Sequence, residues 1–579
     1  MNSPTPTDNT NLPKRLADFG TLTDALDYAA RGSTGCNFYS SRGELTEILT
    51  YKDLCGFAKD HARRLMGMGL ETGDRVALLA STTSDFLVLF FACQYAGFIP
   101  VPLPVPTAFG RREAYIQQIS AQIKLSGSRI LIGPEELMQS VKEETDMSGL
   151  LLCGTRDDII ALPCAGAALR PGGANDLCYI QYSSGSTRFP IGVAVTNRSL
   201  MANCVGMNRD GVKIAVGDRC ASWLPFYHDL GLVGFMLGVV TSQTSVDYLP
   251  TEDFARRPLT WLKMISQNQS TVSFAPSFGY ELCARRAETI DSRTLDIDLS
   301  RWRVAGIGGE MIKPRVMLQF AQTFEPFGFS ENAFCASYGL AESVVGVSFS
   351  IPGTGMQQDY ISKKALAEEH RARVIPDDGS AVGRSFVKCG KVLPNHKVEI
   401  RDENGNALND REIGRVFVWG PSVMQGYYDD AVATERAIID GWLDTGDLGY
   451  FSKDELVIVG RAKDMMIVNG RNFWPQDIEW TVEHMDGVRS GDSAAITLTD
   501  DDGAEHPTIL VQCRIGTADQ RRSFSESIRS EVHDTVGLLC EVIMVPPRSL
   551  PKTSSGKLAR SKAKANYEAG DITQLDLSG

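Results

Sequence analysis

The chain is 579 residues long, 43% hydrophobic and 22% charged, with a formal net charge of −13. That length calls for at least two domains, and the composition is that of an ordinary soluble globular protein. The acidic balance, with no long basic run, argues against a nucleic-acid binder. Thirteen cysteines, an odd number with no C-x-x-C pair, read as reduced thiols filling small core sites in a cytoplasmic protein.

Residues 1–13 are polar and lack an apolar signal core. From 14 to 175 helical patterns alternate with apolar runs such as 75–80 and 128–133, which predicts an α/β architecture with mostly parallel, buried strands. Residues 86–105 are apolar enough to raise a membrane span, but Gly97, Pro100, Pro102 and Pro104 would break a spanning helix. A buried helix ending near Gly97 and a strand over 98–103 fit better, so no transmembrane segment is expected.

A strand over 177–182 then runs into Ser183, Ser184, Gly185, Ser186 and Thr187, all hydroxyl carriers or glycine. Such a loop offers small donors and a backbone able to bend around an anion, although a solvated Ser/Gly loop has the same composition. Residues 221–231 form a strand running into a turn with His228, Asp229 and Gly231. In open α/β sheets ligands collect at such strand ends. Gly231, Gly234 and Gly238 leave room either for tight helix packing or for an apolar channel. Further strand ends follow at 272–279, at 303–310 with Gly308, Gly309 and Glu310, and at 335–343 with Ser337, Tyr338, Gly339 and Glu342. A tyrosine beside a glycine can cover a purine, and a carboxylate four residues on can hold Mg²⁺.

Residues 342–383 form a weakly apolar excursion with a charged helical run over 363–373, the kind of insertion that is either disordered or functional. Beyond it, 398–401, an Asn404-Gly405 turn and 414–419 read as a β-hairpin unit. Residues 442–447 read as a polar turn whose Asp447 suits a ribose diol. The remainder has the makeup of a small α+β domain, closing on Lys557 in a Gly/Ser/Thr-rich loop. A solvated surface lysine is the plain alternative there, and a point charge delivered by a mobile loop the functional one.

In this order, the 183–192 loop, Tyr338 to Glu342, Asp444 to Asp447, Gly460-Arg461 and Lys557 resemble the adenylate-forming superfamily of acyl-CoA synthetases, luciferases and adenylation domains. The likeness extends over residues 16–569. Arg188 in the loop, the run 470–479 and the excursion before Gly383 look more like its fatty acyl-AMP ligase branch. The resemblance implies a large N-terminal domain over 1–460, made of stacked α/β subdomains plus a small β-barrel-like subdomain, with an insertion at about 351–380. A small mobile α+β domain over 461–579 would follow, with a hinge near Lys463.

The same resemblance implies that ATP and a fatty acid give acyl-AMP and pyrophosphate, after which the acyl group passes to a thiol. By position, Ser183 to Thr187 would hold phosphates, and Gly309, Glu310, Ser337, Tyr338 and Gly339 would frame adenine. Asp447 and Arg461 would hold ribose, Glu342 with Thr187 would hold Mg²⁺, and Lys557 would bridge the carboxylate and α-phosphate. His228 stands where amino-acid-activating relatives carry an aspartate, which favours a plain carboxylic acid. Ile191 replaces a lysine frequent in the loop. The branch implies an acyl carrier protein as thiol donor, expected as a separate polypeptide, with Arg521, Arg522, Arg529, Lys562 and Lys564 as candidate docking cations. An ordinary acyl-CoA synthetase and a non-catalytic nucleotide-binding protein are the rival readings.

Overall fold

The computed structural model describes residues 12–106, 112–144, 149–182, 191–290, 295–378, 383–468, 471–499, 505–553 and 557–577. The expected α/β alternation is present. A nine-stranded sheet runs in the order Lys391–Val392, Ser348–Phe349, Phe334–Tyr338, Val304–Ile307, Val272–Ala275, Arg219–Ser222, Ser245–Tyr248, Gly35–Tyr39 and Leu45–Thr50. The six strands from Phe334–Tyr338 to Gly35–Tyr39 are parallel. Their residues are mostly buried, as in strands covered on both faces, and Asn37 and Arg219 both donate to the buried Asp247.

A second, four-stranded parallel sheet joins Ile99–Leu103, Arg75–Leu79, Ile130–Ile132 and Leu152–Gly154. Its edge strand carries Pro100 and Pro102, which an edge tolerates because one side needs no ladder donor. The helix Ser84–Ala96 before it is buried along almost its whole length and stops at Gly97, whose φ of +75° makes the left-handed cap. No described helix is long and apolar enough to cross a membrane. All thirteen cysteines are free, and ten of them are buried.

The β-rich part beyond residue 390 is a five-stranded antiparallel sheet built on Lys397–Arg401, Gly414–Trp419, Trp442–Ser452 and Glu455–Arg461. Three local readings change here. Residues 442–447 belong to the long strand Trp442–Ser452 rather than to a turn; a shift of register and Gly446 at φ +74° give it its polar texture. The Asn404-Gly405 turn closes a small loop on Asp402 instead of joining the strands directly. The charged helix is shorter than its pattern, covering Lys363–Glu368.

That helix belongs to the excursion, which is built rather than loose: Gln358–Ser362 pairs antiparallel with Gly383–Val387. From this ribbon Arg384, 5% exposed, reaches Asp477 at 2.9 Å, on the helix Pro475–Glu483. Lys363 also donates to the carbonyl of Thr535. After Arg461 the turn Ala462–Asp464 leads to a three-stranded sheet of Ser493–Thr499, Glu505–Gln512 and Glu541–Val545, covered by Pro475–Glu483 and Ala518–Val536. These elements bury a core of their own around Ile478, Ile509, Ile528 and Met544.

Candidate active site

The parallel strands of the large sheet all end on one edge, and the polar residues singled out by the sequence collect just beyond it. Asp229, Gly308, Gly309, Ser337, Tyr338 and Gly339 line one end of a cavity. Elsewhere its wall is mostly apolar, including Met207, Val212, Phe235 and Phe274. Two π-helical segments, Gly206–Gly211 and Leu230–Leu237, form its flank, a rare geometry that concentrates at functional sites. The glycine question divides. Gly234 lines the cavity, whereas a Cβ on Gly231 would meet the Pro225 carbonyl at 2.2 Å.

Glycine is obligatory at two points of the polar end. A Cβ on Gly339 would fall 1.6 Å from the Val345 carbonyl oxygen. Gly309 sits at φ +79°, where its carbonyl turns outward and accepts from Lys557 Nζ. Burial lowers the Lys557 pKa, while Glu310 and Asp229 pull it back up. Burial raises Glu310, which takes the Phe278 N–H at 3.2 Å, against the pull of Lys557 and Lys313. For Asp229 burial pushes upward, but His228, Lys557 and the Leu230 N–H outweigh it, so its carboxyl stays below the usual range. His228 Nδ1 lies 2.6 Å from Asp229 Oδ1, so the histidine faces the site through its neighbour.

The second group stands beside Tyr338, whose hydroxyl donates to Asp447 Oδ2 at 2.7 Å. Asp447 pairs across the strands with Arg461, and Arg461 Nε lies 3.5 Å from Oδ1. Burial raises the Asp447 carboxyl while Arg461 and Tyr338 pull it down. Arg461 leaves more than half of its side chain exposed.

Glu342 occupies the short 3₁₀ turn Ala341–Ser343, next to Val344 at φ +68°, an uncommon conformation for a β-branched residue. Its Oε1 accepts from the Tyr427 hydroxyl at 3.0 Å, and burial raises its pKa. Tyr427 bridges to Val193, and the Tyr428 N–H donates to the Gly192 carbonyl at 2.7 Å. Gly192–Thr196 pairs antiparallel with Leu177–Tyr182, so Glu342 is tied to the base of the loop between them. Ser183, Ser184, Gly185, Ser186, Thr187 and Arg188 lie outside the described residues.

The described residues contain no cluster of three or more metal-binding His, Cys, Asp or Glu side chains. A half-buried carboxylate with no ion pair among the described residues suits Mg²⁺, which keeps several waters and binds through one or two carboxylates plus substrate phosphates. Tyr427 is the site residue that motif reading does not single out. Asp229 was visible beside His228, but Tyr427 carries no local signal, since it reaches Glu342 from 85 residues away.

The AMP-binding enzyme family matches residues 35–428. A Caulobacter vibrioides protein provisionally named an acyl-CoA synthetase is 47% identical over 98% of both chains. The Moorena producens medium-chain-fatty-acid–[acyl-carrier-protein] ligase JamA is 29% identical over 96% of this chain and 97% of its own. A solved structure from work on fatty acyl-adenylate ligases of E. coli and L. pneumophila superposes with a TM-score of 0.91 at 43% identity, covering 96% of this chain and all of that one.

Proposed function

The chain belongs to the AMP-binding enzyme family, and from that footing we propose that it is a fatty acyl-AMP ligase that passes its acyl group to an acyl carrier protein. The observation that carries the reading is one shared edge. The Lys557 ammonium, the Tyr338–Asp447–Arg461 group and the mouth of an apolar cavity all meet there. The 0.91 superposition on a fatty acyl-adenylate ligase structure and the carrier-protein ligase among the relatives support it.

In the first half-reaction a carboxylate oxygen attacks the α-phosphorus of ATP, the bond to the bridging oxygen breaks, and pyrophosphate leaves. No proton moves, so the protein contributes alignment and neutralisation of charge. The apolar cavity takes the alkyl chain and excludes water. Lys557 places its ammonium between carboxylate and α-phosphate. Gly309, Glu310, Ser337, Tyr338 and Gly339 frame the adenine, while Asp447 and Arg461 hold the ribose. His228 and Asp229 close the wall beside the carboxylate. Glu342, with Thr187, would hold Mg²⁺, which would neutralise phosphate charge. In the second half-reaction a thiol loses its proton to solvent, its sulfur attacks the acyl carbonyl, the acyl C–O bond to phosphate breaks and AMP departs. We place the division between the two bodies after residue 460, with Lys463 at the hinge.

The provisional name of the Caulobacter relative favours a second reading, an acyl-CoA synthetase. Mass spectrometry of products from ATP, Mg²⁺ and a fatty-acid panel, with coenzyme A or a phosphopantetheinylated carrier protein, separates the two. Acyl-AMP that persists with coenzyme A and transfers to the carrier is the expected result. Rapid acyl-CoA formation would overturn the carrier assignment.

A further inference from the structure

The cavity runs from the reaction edge of the large sheet to its opposite edge. Cys220 and Val272, which pair with each other near the starts of their strands, line the far end. So does Ser242, just before the strand Ser245–Tyr248, whose first residue pairs with Arg219. Val272 is level with Val304, four residues before Gly308 at the reaction edge. At about 3.3 Å per strand residue this makes a run of about 13 Å.

Asn208 belongs to the far end. It lines the cavity, is 7% exposed, and packs against the C-terminal end of the helix whose N-terminal end carries Asp229. Its partners fix the amide. Nδ2 donates to the Gly238 carbonyl at 3.1 Å and to Thr241 Oγ1 at 3.4 Å. Thr241 uses its own proton on the Gly238 carbonyl, so its oxygen can only accept. A flipped amide would set oxygen against two acceptors. Asn208 Oδ1 is therefore the free end, and no described residue donates to it. The Ser242 hydroxyl has its own partners, the Gly238 carbonyl at 2.8 Å, the Val239 carbonyl at 3.4 Å and Thr244 Oγ1 at 3.0 Å.

An unpaired amide oxygen in an apolar tunnel loses its hydration once a ligand fills the space, and only a donor on that ligand restores the bond. We infer that the far end of the cavity selects acyl chains carrying a hydroxyl at or near their ω carbon, which donates to Asn208 Oδ1. A plain alkyl chain of the same reach desolvates that oxygen and gives nothing back. The inference rests on the reading of the cavity as the acyl site.

Adenylation kinetics on matched alkanoates and ω-hydroxyalkanoates over a range of lengths, with wild type and Asn208→Leu, test it. At the length that reaches Asn208, wild type should favour the hydroxylated acid by about tenfold in kcat/KM. Asn208→Leu should reverse that preference while still adenylating the plain acid. A wild type that favours the plain acid at every length overturns the inference, as does a leucine variant with an unchanged ratio. Should the variant not fold, the wild-type series decides alone. If neither series is adenylated, it is the acyl reading that falls.

Discussion

Replacing Lys557 by alanine tests the centre of the mechanism. Its ammonium is held on the Gly309 carbonyl, within the influence of Glu310 and Asp229, and an ideal Cβ on Gly309 would lie 3.9 Å from Nζ. A unit charge facing an opposite charge at about 4 Å, in a medium of effective dielectric about 20, contributes about 4 kcal/mol. At 1.4 kcal/mol per factor of ten that is roughly 10³-fold in rate. Removal of one preformed stabiliser of a developing anion costs about 10²–10³-fold in other enzymes, the same scale. ATP–pyrophosphate exchange should therefore fall by about that factor in Lys557→Ala. Melting temperature should hold, because burial already disfavours the charge. Transfer from synthetic acyl-adenylate to a carrier thiol should fall far less. With its pKa lowered, Lys557 also discharges earlier on the alkaline side than an ordinary lysine, so the wild-type exchange rate should decline there. Exchange by Lys557→Ala at near wild-type rate would refute the assignment.

Glu342→Gln should lower exchange about 10²-fold and raise the Mg²⁺ concentration needed for half-maximal rate; an unchanged Mg²⁺ titration would remove the carboxylate from that role. Arg384→Ala strands Asp477 in a buried setting and should cost about 3–5 kcal/mol by denaturant unfolding. The apolar double variant Arg384→Met, Asp477→Leu should recover most of that loss, and full additivity would argue against coupling. Burial pushes the Asp218 carboxyl up, but Arg303, the Ala215 N–H and Thr271 hold it below its usual value. A depressed folded pKa stabilises fully above the unfolded carboxylate value of about 3.9 and is lost as pH falls through the folded value. Asp218→Asn should thus flatten the acid limb of a melting-temperature profile.

The parts of the site that were legible in sequence share one form, a short apolar run ending in glycine and a polar residue. Val304–Ile307 before Gly308 and Phe334–Tyr338 before Gly339 both read correctly, because a buried parallel strand and its exit turn are local events. The strand Trp442–Ser452 did not, since Asp444, Thr445, Gly446 and Asp447 imitate a turn while pairing of Asp444 with Phe417 on one side and of Asp447 with Arg461 on the other keeps the segment in the sheet. Tyr427 stayed hidden because its partner Glu342 is brought to it only by tertiary packing. The ambiguity of Gly231, Gly234 and Gly238 was genuine as well: one faces open space and another touches backbone, a difference that periodicity does not encode. The ion pair Arg384–Asp477 unites two segments whose sequences give no sign of each other.

The π-helical wall gives the spacing of the chain itself a role in selectivity. Between Asp229 and Gly238 the backbone closes wider turns, as the Gly238 N–H bonding to the Val233 carbonyl five residues back shows. Removing one residue from this stretch would let it tighten to an ordinary helix and turn everything beyond the cut by about 100°. With the cut between Phe235 and Gly238, Val233 would take the offset from Gly238 that Gly234 now holds, and the opening would narrow with no wall residue substituted. In this segment, residue count sets the bore of the tunnel as firmly as side-chain identity does.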